Sequence, residues 1–94
     1  MNLRGKVNMS KFDKIFDIPE DLSLEIPKVT ILGFNKMLIE NYKSVLEYQD
    51  FFIRIKMSTG LININGFELF MNEMTKDDLI ITGNIESVDF EKYE

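Results

Sequence analysis

Cysteine, histidine, tryptophan and alanine are all absent from this 94-residue chain. Without cysteine there is no disulfide scaffold, no thiolate metal site and no cysteine nucleophile. Without histidine the chain lacks the commonest general base and metal ligand, and also the usual partner that activates a serine. These absences argue against an enzyme and against a bound cofactor or metal.

Long apolar runs are also missing from the sequence. Uninterrupted apolar stretches reach about three residues, as in Leu79-Ile80-Ile81, whereas a membrane-spanning helix needs roughly 20. No apolar run of signal-peptide length follows the N-terminus. We therefore expect a cytoplasmic protein, and a chain of this length predicts a single domain over residues 1–94.

The abundant residue types favour strands. The best helix former is absent, whereas the chain has 12 isoleucines and 8 phenylalanines, which suit pleated, half-buried strands. From Leu22 onward apolar and polar residues alternate between closely spaced turn signals. We predict an all-β domain over residues 21–91, with about eight short strands in an antiparallel meander, sandwich or roll. A loosely repeated apolar-x-apolar-x-Gly pattern leaves a short solenoid-like β stack as the alternative.

Breaks in the alternation predict where strands bend. Ile62 and Ile64 before Gly66 are even-numbered, whereas Phe67, Leu69 and Met71 after it are odd-numbered. The strand must therefore change face at Gly66 through an inserted residue or a turn. A second change of parity further along predicts a bulge near Glu86-Ser87.

Other turn residues follow from local chemistry. Ser58-Thr59-Gly60 is typical of a hairpin connection with its glycine in the left-handed region. Asn41 is expected to adopt the same region and to cap its own backbone. The predicted structural turn positions are Gly33, Glu40, Asn41, Gly60, Gly66 and Gly83.

The N-terminus differs in charge from the rest of a chain whose net charge is −5. Residues 1–14 carry four basic residues and one acidic residue, a net +3, which leaves 7 − 15 = −8 for residues 15–94. We predict a basic arm over residues 1–20. The negative remainder argues against a polyanion-binding domain.

A short amphipathic helix is predicted within this arm. Phe12, Ile15 and Phe16 fall on one helical face, and Pro19 would end the helix. The helix is expected over residues 11–17. Its apolar face either packs against the end of the sheet or docks on a partner or a membrane surface.

Two patterns could carry chemistry. Phe52, Arg54 and Lys56 would share one face of a strand, as in small all-β modules that stack the bases of single-stranded nucleic acid. This is the alternative function, although a salt-bridged outer face explains the same residues. Asp77-Asp78 is an adjacent pair of acidic residues, and one pair without further ligands indicates a solvated turn rather than a metal site.

Surplus apolar residues favour an interaction module. Several predicted strands carry apolar groups on both faces, so either two layers bury both faces or one face is left for another chain. Unpaired strand edges also invite strand addition or self-association. The candidate contact residues are Phe12, Phe16, Phe51, Phe52, Arg54, Lys56, Phe70 and Met74.

Short segments spread over roughly residues 12–90 resemble the YabP/YqfC family of sporulation proteins. They include Ile18 to Gly33, Leu38-Ile39-Glu40-Asn41-Tyr42-Lys43, Ile62-Asn63-Ile64-Asn65-Gly66 and Ile81-Thr82-Gly83-Asn84-Ile85. The Phe-Asp-Ile-Pro lead-in is typical of the YqfC branch. Ser44 departs from the pattern, because members often carry glycine there.

The resemblance implies a non-enzymatic factor of endospore-forming bacteria, made in the mother cell and acting at the forespore envelope. It offers no catalytic residues and no cofactor. The neighbouring gene in that family commonly encodes a membrane protein called YqfD, which suggests a protein partner. We therefore expect a structural or interaction protein on the mother-cell side, with peripheral membrane contact at most and with homo-oligomerisation through sheet edges as a separate expectation.

Overall fold

The computed structural model describes residues 26–93, and every regular element within them is a β-strand. The strands are β1 (Lys28–Leu32), β2 (Lys36–Glu40), β3 (Tyr42–Gln49), β4 (Phe52–Met57), β5 (Gly60–Met74) and β6 (Asp78–Lys92). They form one antiparallel sheet in the order β1-β2-β6-β5-β4-β3. The predicted all-β class is confirmed. The solenoid-like alternative is wrong for these residues, because neighbouring strands run antiparallel instead of stacking as repeats.

The strand count differs from the prediction of about eight. The described residues contain six strands, because β5 and β6 are each 15 residues long. The alternation of apolar residues predicted a break at Gly66 in β5 and at Gly83 in β6, but both strands continue past these glycines. The predicted helix over residues 11–17, the arm over residues 1–20 and the start of the strand expected from Leu22 lie outside the described residues.

The long β5–β6 hairpin is shared by two parts of the sheet. Near the hairpin turn, β2 pairs with β6 over residues 78–82, and β1 pairs with β2. At the other end of the hairpin, β4 pairs with β5 over residues 61–65, and β3 pairs with β4. We call the first part the tip layer and the second part the base layer.

Extra residues bend the hairpin between these layers. The pairing passes from Asn65–Ser87 to Gly66–Ile85, which leaves Glu86 as an inserted residue, so the bulge predicted near Glu86-Ser87 is confirmed. Between the pairs Phe67–Asn84 and Phe70–Thr82, the two β5 residues 68 and 69 lie opposite the single β6 residue Gly83. An insertion of this kind increases the local twist and bends the strand.

Gly83 allows the two strands to approach closely at the bend. Its φ of +128° is strained for any other residue, and the φ of Glu68 opposite is +54°. A Cβ atom on Gly83 would overlap the carbonyl oxygen of Glu68 and would lie 2.8 Å from the Cα atom of Leu69. Gly83 was predicted to mark a corner, and glycine is needed there because the backbones of β5 and β6 meet at this point.

The bend brings the inner faces of both layers into one core. Met37, Ile39, Leu79 and Ile81 come from the tip layer. The base layer and the bend contribute Ile53, Ile55, Met57, Ile62, Ile64 and Leu69. Fully burying a side chain of this size stabilises the fold by roughly 1.5–3 kcal/mol.

Asn41 forms the corner between β2, which ends at Glu40, and β3. Its φ is +65°, so the predicted left-handed conformation is confirmed. Asn41 Nδ2 donates to the carbonyl oxygen of Ile26 at 2.7 Å, a contact that the sequence did not predict. The carbonyl of Asp77 in the β5–β6 turn accepts the amides of Asn41 and Tyr42 at 2.8 and 3.2 Å.

The remaining predicted turn glycines have different roles. Gly33 adopts a φ of +62° in the β1–β2 turn, in agreement with a corner. The left-handed conformation predicted for Gly60 is wrong, because Gly60 is the first residue of β5 and its φ is not positive. Glycine is required there for space, since a Cβ atom would overlap the carbonyl of Glu91.

Candidate interaction surfaces

Phe52, Arg54 and Lys56 lie on the outer face of the base layer, as predicted from their spacing. The guanidinium carbon of Arg54 is 5.6 Å from the centroid of the Phe52 ring, a cation–π distance. Arg54 Nε donates to Asn63 Oδ1 at 2.8 Å, and Asn63 Nδ2 donates to Glu91 Oε2 at 2.6 Å. Arg54 therefore belongs to a charged and polar network across three strands.

This network leaves no basic platform for nucleic acid. Glu47 lies opposite Arg54, and Asp89 lies opposite Asn63 in the register of the strands. Residues 26–93 carry 7 basic and 10 acidic side chains, so their net charge is 7 − 10 = −3. Negative charge beside Arg54 would repel phosphates, so the arrangement does not favour the single-strand binder.

The outer face of the tip layer carries four large apolar side chains among polar ones. Leu38 on β2 lies directly opposite Ile80 on β6, and both are half-buried. In the next row, Leu32 on β1 and Phe70 on β5 lie at the two ends of the row, with Lys36 and Thr82 between them, and are 57% and 56% exposed. We call Leu32, Leu38, Phe70 and Ile80 the outer apolar patch.

Charged side chains of both signs lie around and between the residues of this patch. Lys28, Glu40 and Asp78 form one row of the same face, and Lys36 and Glu73 lie within the rows of the patch. An apolar centre with a mixed polar rim is the composition of protein–protein contact surfaces.

The other candidates from the sequence are dispersed. Phe51 lies in the β3–β4 turn and is 54% exposed. Met74 pairs with the buried Leu79, so it faces the core side of β5 although it is exposed at the end of the strand. Phe12 and Phe16 lie outside the described residues. Of the candidates, Phe70 alone belongs to the outer apolar patch.

Sequence reasoning missed Leu32 and Leu38 as contact residues. A signal was available for Leu38, because it is the middle residue of an apolar triplet where simple alternation would place a polar residue. Ile80 is likewise the middle residue of the apolar triplet Leu79-Ile80-Ile81. Leu32 had no such signal, since its exposure follows from the position of β1 at the end of the sheet.

The edge strand β3 is protected by contacts with β5 and by its irregular pairing. Tyr42 Oη donates to the carbonyl of Thr75 at 2.7 Å, and Tyr48 Oη accepts the amide of Met71 at 2.9 Å, so β3 is joined to the edge of β5. The pairing of β3 also has two register shifts, and such irregularities discourage strand addition. Self-association through sheet edges stays a prediction.

The acidic pair in the β5–β6 turn has a structural role. Thr75 Oγ1 accepts the amide of Asp78 at 2.9 Å, and the Thr75 amide donates to the Asp78 carbonyl at 2.8 Å. The predicted turn at Asp77-Asp78 is confirmed. Across residues 26–93, no group of three or more acidic side chains is placed to hold a metal ion. The same part of the chain has no helix long and apolar enough to span a membrane.

Comparison with protein families matches residues 24–94 to the model of the YabP family. The chain belongs to the YabP family. A curated relative of this YabP family member is the uncharacterized protein YqfC of Bacillus subtilis (strain 168), which is 23% identical over 75 residues, covering 80% of this chain and 81% of the relative. No solved structure matches. The resemblance noted in the sequence is confirmed, and family membership suggests a sporulation-related protein.

Proposed function

We propose that this YabP family member is a non-enzymatic sporulation protein that acts as an interaction module in the mother cell, at the forespore envelope. The observation that supports it is the outer apolar patch. Leu38 and Ile80 are only half-buried although the opposite face of their strands is fully covered by the core. Apolar side chains on the open face of a sheet, with polar residues around them, commonly mark a contact with another protein.

The rim of the patch favours a protein partner over a polyanion. Lys28 and Lys36 are balanced by Glu40, Glu73 and Asp78 on the same face, so no excess of positive charge faces outward. Anionic lipids and nucleic acids are bound by surfaces with such an excess. The partner we propose presents an apolar strip flanked by charges of both signs, and the membrane protein YqfD is the candidate suggested by the family resemblance.

The absence of histidine and cysteine supports a function without catalysis. A nucleophile would need an adjacent base or a depressed pKa to act near neutral pH. Asp77 and Asp78, the adjacent acidic pair, are part of a turn whose backbone they close.

Deletion of the gene in the sporulating organism tests the role in sporulation. We expect fewer heat-resistant spores, and we expect a wild-type copy at another locus to restore the count. Unchanged spore formation and heat resistance in the deletion strain would contradict the sporulation role.

Co-expression with YqfD of the same organism tests the partner and the surface together. We expect the two proteins to co-purify in detergent, and we expect Phe70→Asp to reduce the yield of the complex. Phe51→Asp is the matched control, since Phe51 is exposed to nearly the same extent but lies outside the patch. A complex that tolerates Phe70→Asp would contradict the surface, and no complex with the wild-type chain would exclude YqfD.

A further inference from the structure

Phe90 occupies an unusual place on β6. It pairs with Ile62, a buried core residue, so its side chain projects from the core face of the base layer. Phe90 is nevertheless 63% exposed. A large aromatic side chain on the core face remains exposed only where the opposite layer does not reach it.

A groove lies beside Phe90, between the start of β1, the start of β5 and the end of β6. Its volume is about 510 Å³, within the rough range of 300–1,000 Å³ for pockets that hold ligands. Its apolar lining comes from Pro27, Val29, Met57, Leu61, Ile62 and Phe90. Glu91 and Lys92 add one charge of each sign.

The groove opens on the side of the domain where the layers are not joined by tyrosines. On the other side, Tyr42 and Tyr48 connect β3 to the β5 edge. Beside Phe90 the core face of β6 is uncovered, since Phe90 lines the groove and is exposed. The core is therefore closed along one side and open along the other.

We propose that residues 11–18 of this same chain occupy the groove, with the side chains of Phe12, Ile15 and Phe16 against Phe90. The inference is independent of the proposed function, because it concerns the isolated chain. The connection is short: residues 19–25 join this segment to Ile26, next to Pro27 in the groove wall. Seven extended residues span at most about 25 Å, so the groove lies within reach of the segment.

The chemistry of the segment suits this site. Its three apolar residues have the i, i+3, i+4 spacing of one helical face, and a helix this short is marginal in water unless that face packs on something. Residues 11–18 carry two basic and two acidic side chains, a net charge of 2 − 2 = 0, so net charge does not oppose their docking on a domain that carries −3.

A single tryptophan reports on this contact, because the natural chain has none. We would introduce Phe16→Trp into the full chain and record its emission and its quenching by acrylamide. The expected result is blue-shifted emission and weak quenching in the folded protein, both lost in denaturant. Phe90→Asp on this background should expose the tryptophan. Phe34→Asp is the matched control, since Phe34 is 82% exposed in the β1–β2 turn, away from the groove lining.

Three results would overturn the proposal. They are a tryptophan that is fully quenched in the folded protein, a protected tryptophan that Phe90→Asp does not expose, and protection that falls on dilution, which would indicate a second copy as the occupant.

A disulfide assay keeps the test valid if Phe16→Trp impairs folding, because the natural chain has no cysteine. Ile15→Cys with Val29→Cys should form a disulfide within the monomer on mild oxidation, since Val29 lines the groove and pairs with the buried Ile39. Ile15→Cys with Leu46→Cys, placed on the exposed β3, should not. Equal yields from both pairs would contradict docking in the groove.

Discussion

Alanine substitutions at three glycines separate two reasons for which the bent hairpin needs glycine. Gly33 has a positive φ of +62° but open space, since the nearest atom to an added Cβ is Asn35 Oδ1 at 3.9 Å. Gly66 has no positive φ, but its Cβ would overlap the carbonyl oxygen of Asn84 and would lie 3.0 Å from the carbonyl carbon. Gly83 combines a φ of +128° with a close backbone approach.

The expected losses of unfolding free energy follow from these geometries. Gly33→Ala should cost about 0.5–1 kcal/mol, because left-handed strain of about 1–2 kcal/mol is partly offset by the lower entropy of the unfolded chain. Gly66→Ala should cost about 2 kcal/mol, because β5 and β6 must separate and weaken backbone hydrogen bonds. Gly83→Ala should cost about 3–4 kcal/mol, since dihedral strain of about 1–3 kcal/mol adds to the overlap.

Urea denaturation followed by far-UV circular dichroism measures these losses, provided that the slope of the free energy against urea is unchanged. The order of stability should be wild type, then the variants at Gly33, Gly66 and Gly83. If Gly83→Ala and Gly33→Ala lost the same free energy within about 0.5 kcal/mol, the backbones would not meet at the bend, and the account of two layers joined there would be refuted.

Substitutions at three further residues test individual hydrogen bonds by the same denaturation assay. Tyr48→Phe should cost about 1 kcal/mol because the amide of Met71 loses its phenolic acceptor, and an unchanged midpoint would show that water takes its place. Asn41→Gly keeps the left-handed backbone but loses the bond to the Ile26 carbonyl, so it should cost about 1 kcal/mol. Asn41→Ala should cost about 1 kcal/mol more, and equal losses would contradict this separation. Asn63→Ala should cost about 2–3 kcal/mol because its buried amide joins two charged partners, whereas a loss under about 0.5 kcal/mol would mean that the network contributes nothing.

The bends of the fold could be predicted because side-chain alternation is a local property. The change from even-numbered to odd-numbered core residues required an insertion near Gly66, and the same reasoning located the bulge at Glu86. Local alternation cannot distinguish a turn from a bulge in a continuous strand, since that depends on hydrogen bonds between residues far apart in sequence. For this reason β5 and β6 were each divided in two.

The surface could be predicted only in part. The apolar triplet around Ile80 indicated that both faces of its strand are apolar, but it did not indicate which face the second layer covers. The exposure of Leu32 and Phe90 follows from where the strands end across the fold, which no pattern within one strand contains. Phe52 and Arg54 were placed correctly on one face, while the partners of Arg54 depend on cross-strand register.

The count of heat-resistant spores in strains that carry substitutions at the outer apolar patch tests the central claim most directly. Each strain would express one variant in place of the wild-type protein, at equal protein levels. The account predicts that Phe70→Asp lowers the count as far as deletion of the gene does, and that Phe51→Asp leaves it at the wild-type value. A Phe70→Asp strain that forms as many heat-resistant spores as the wild type would contradict it.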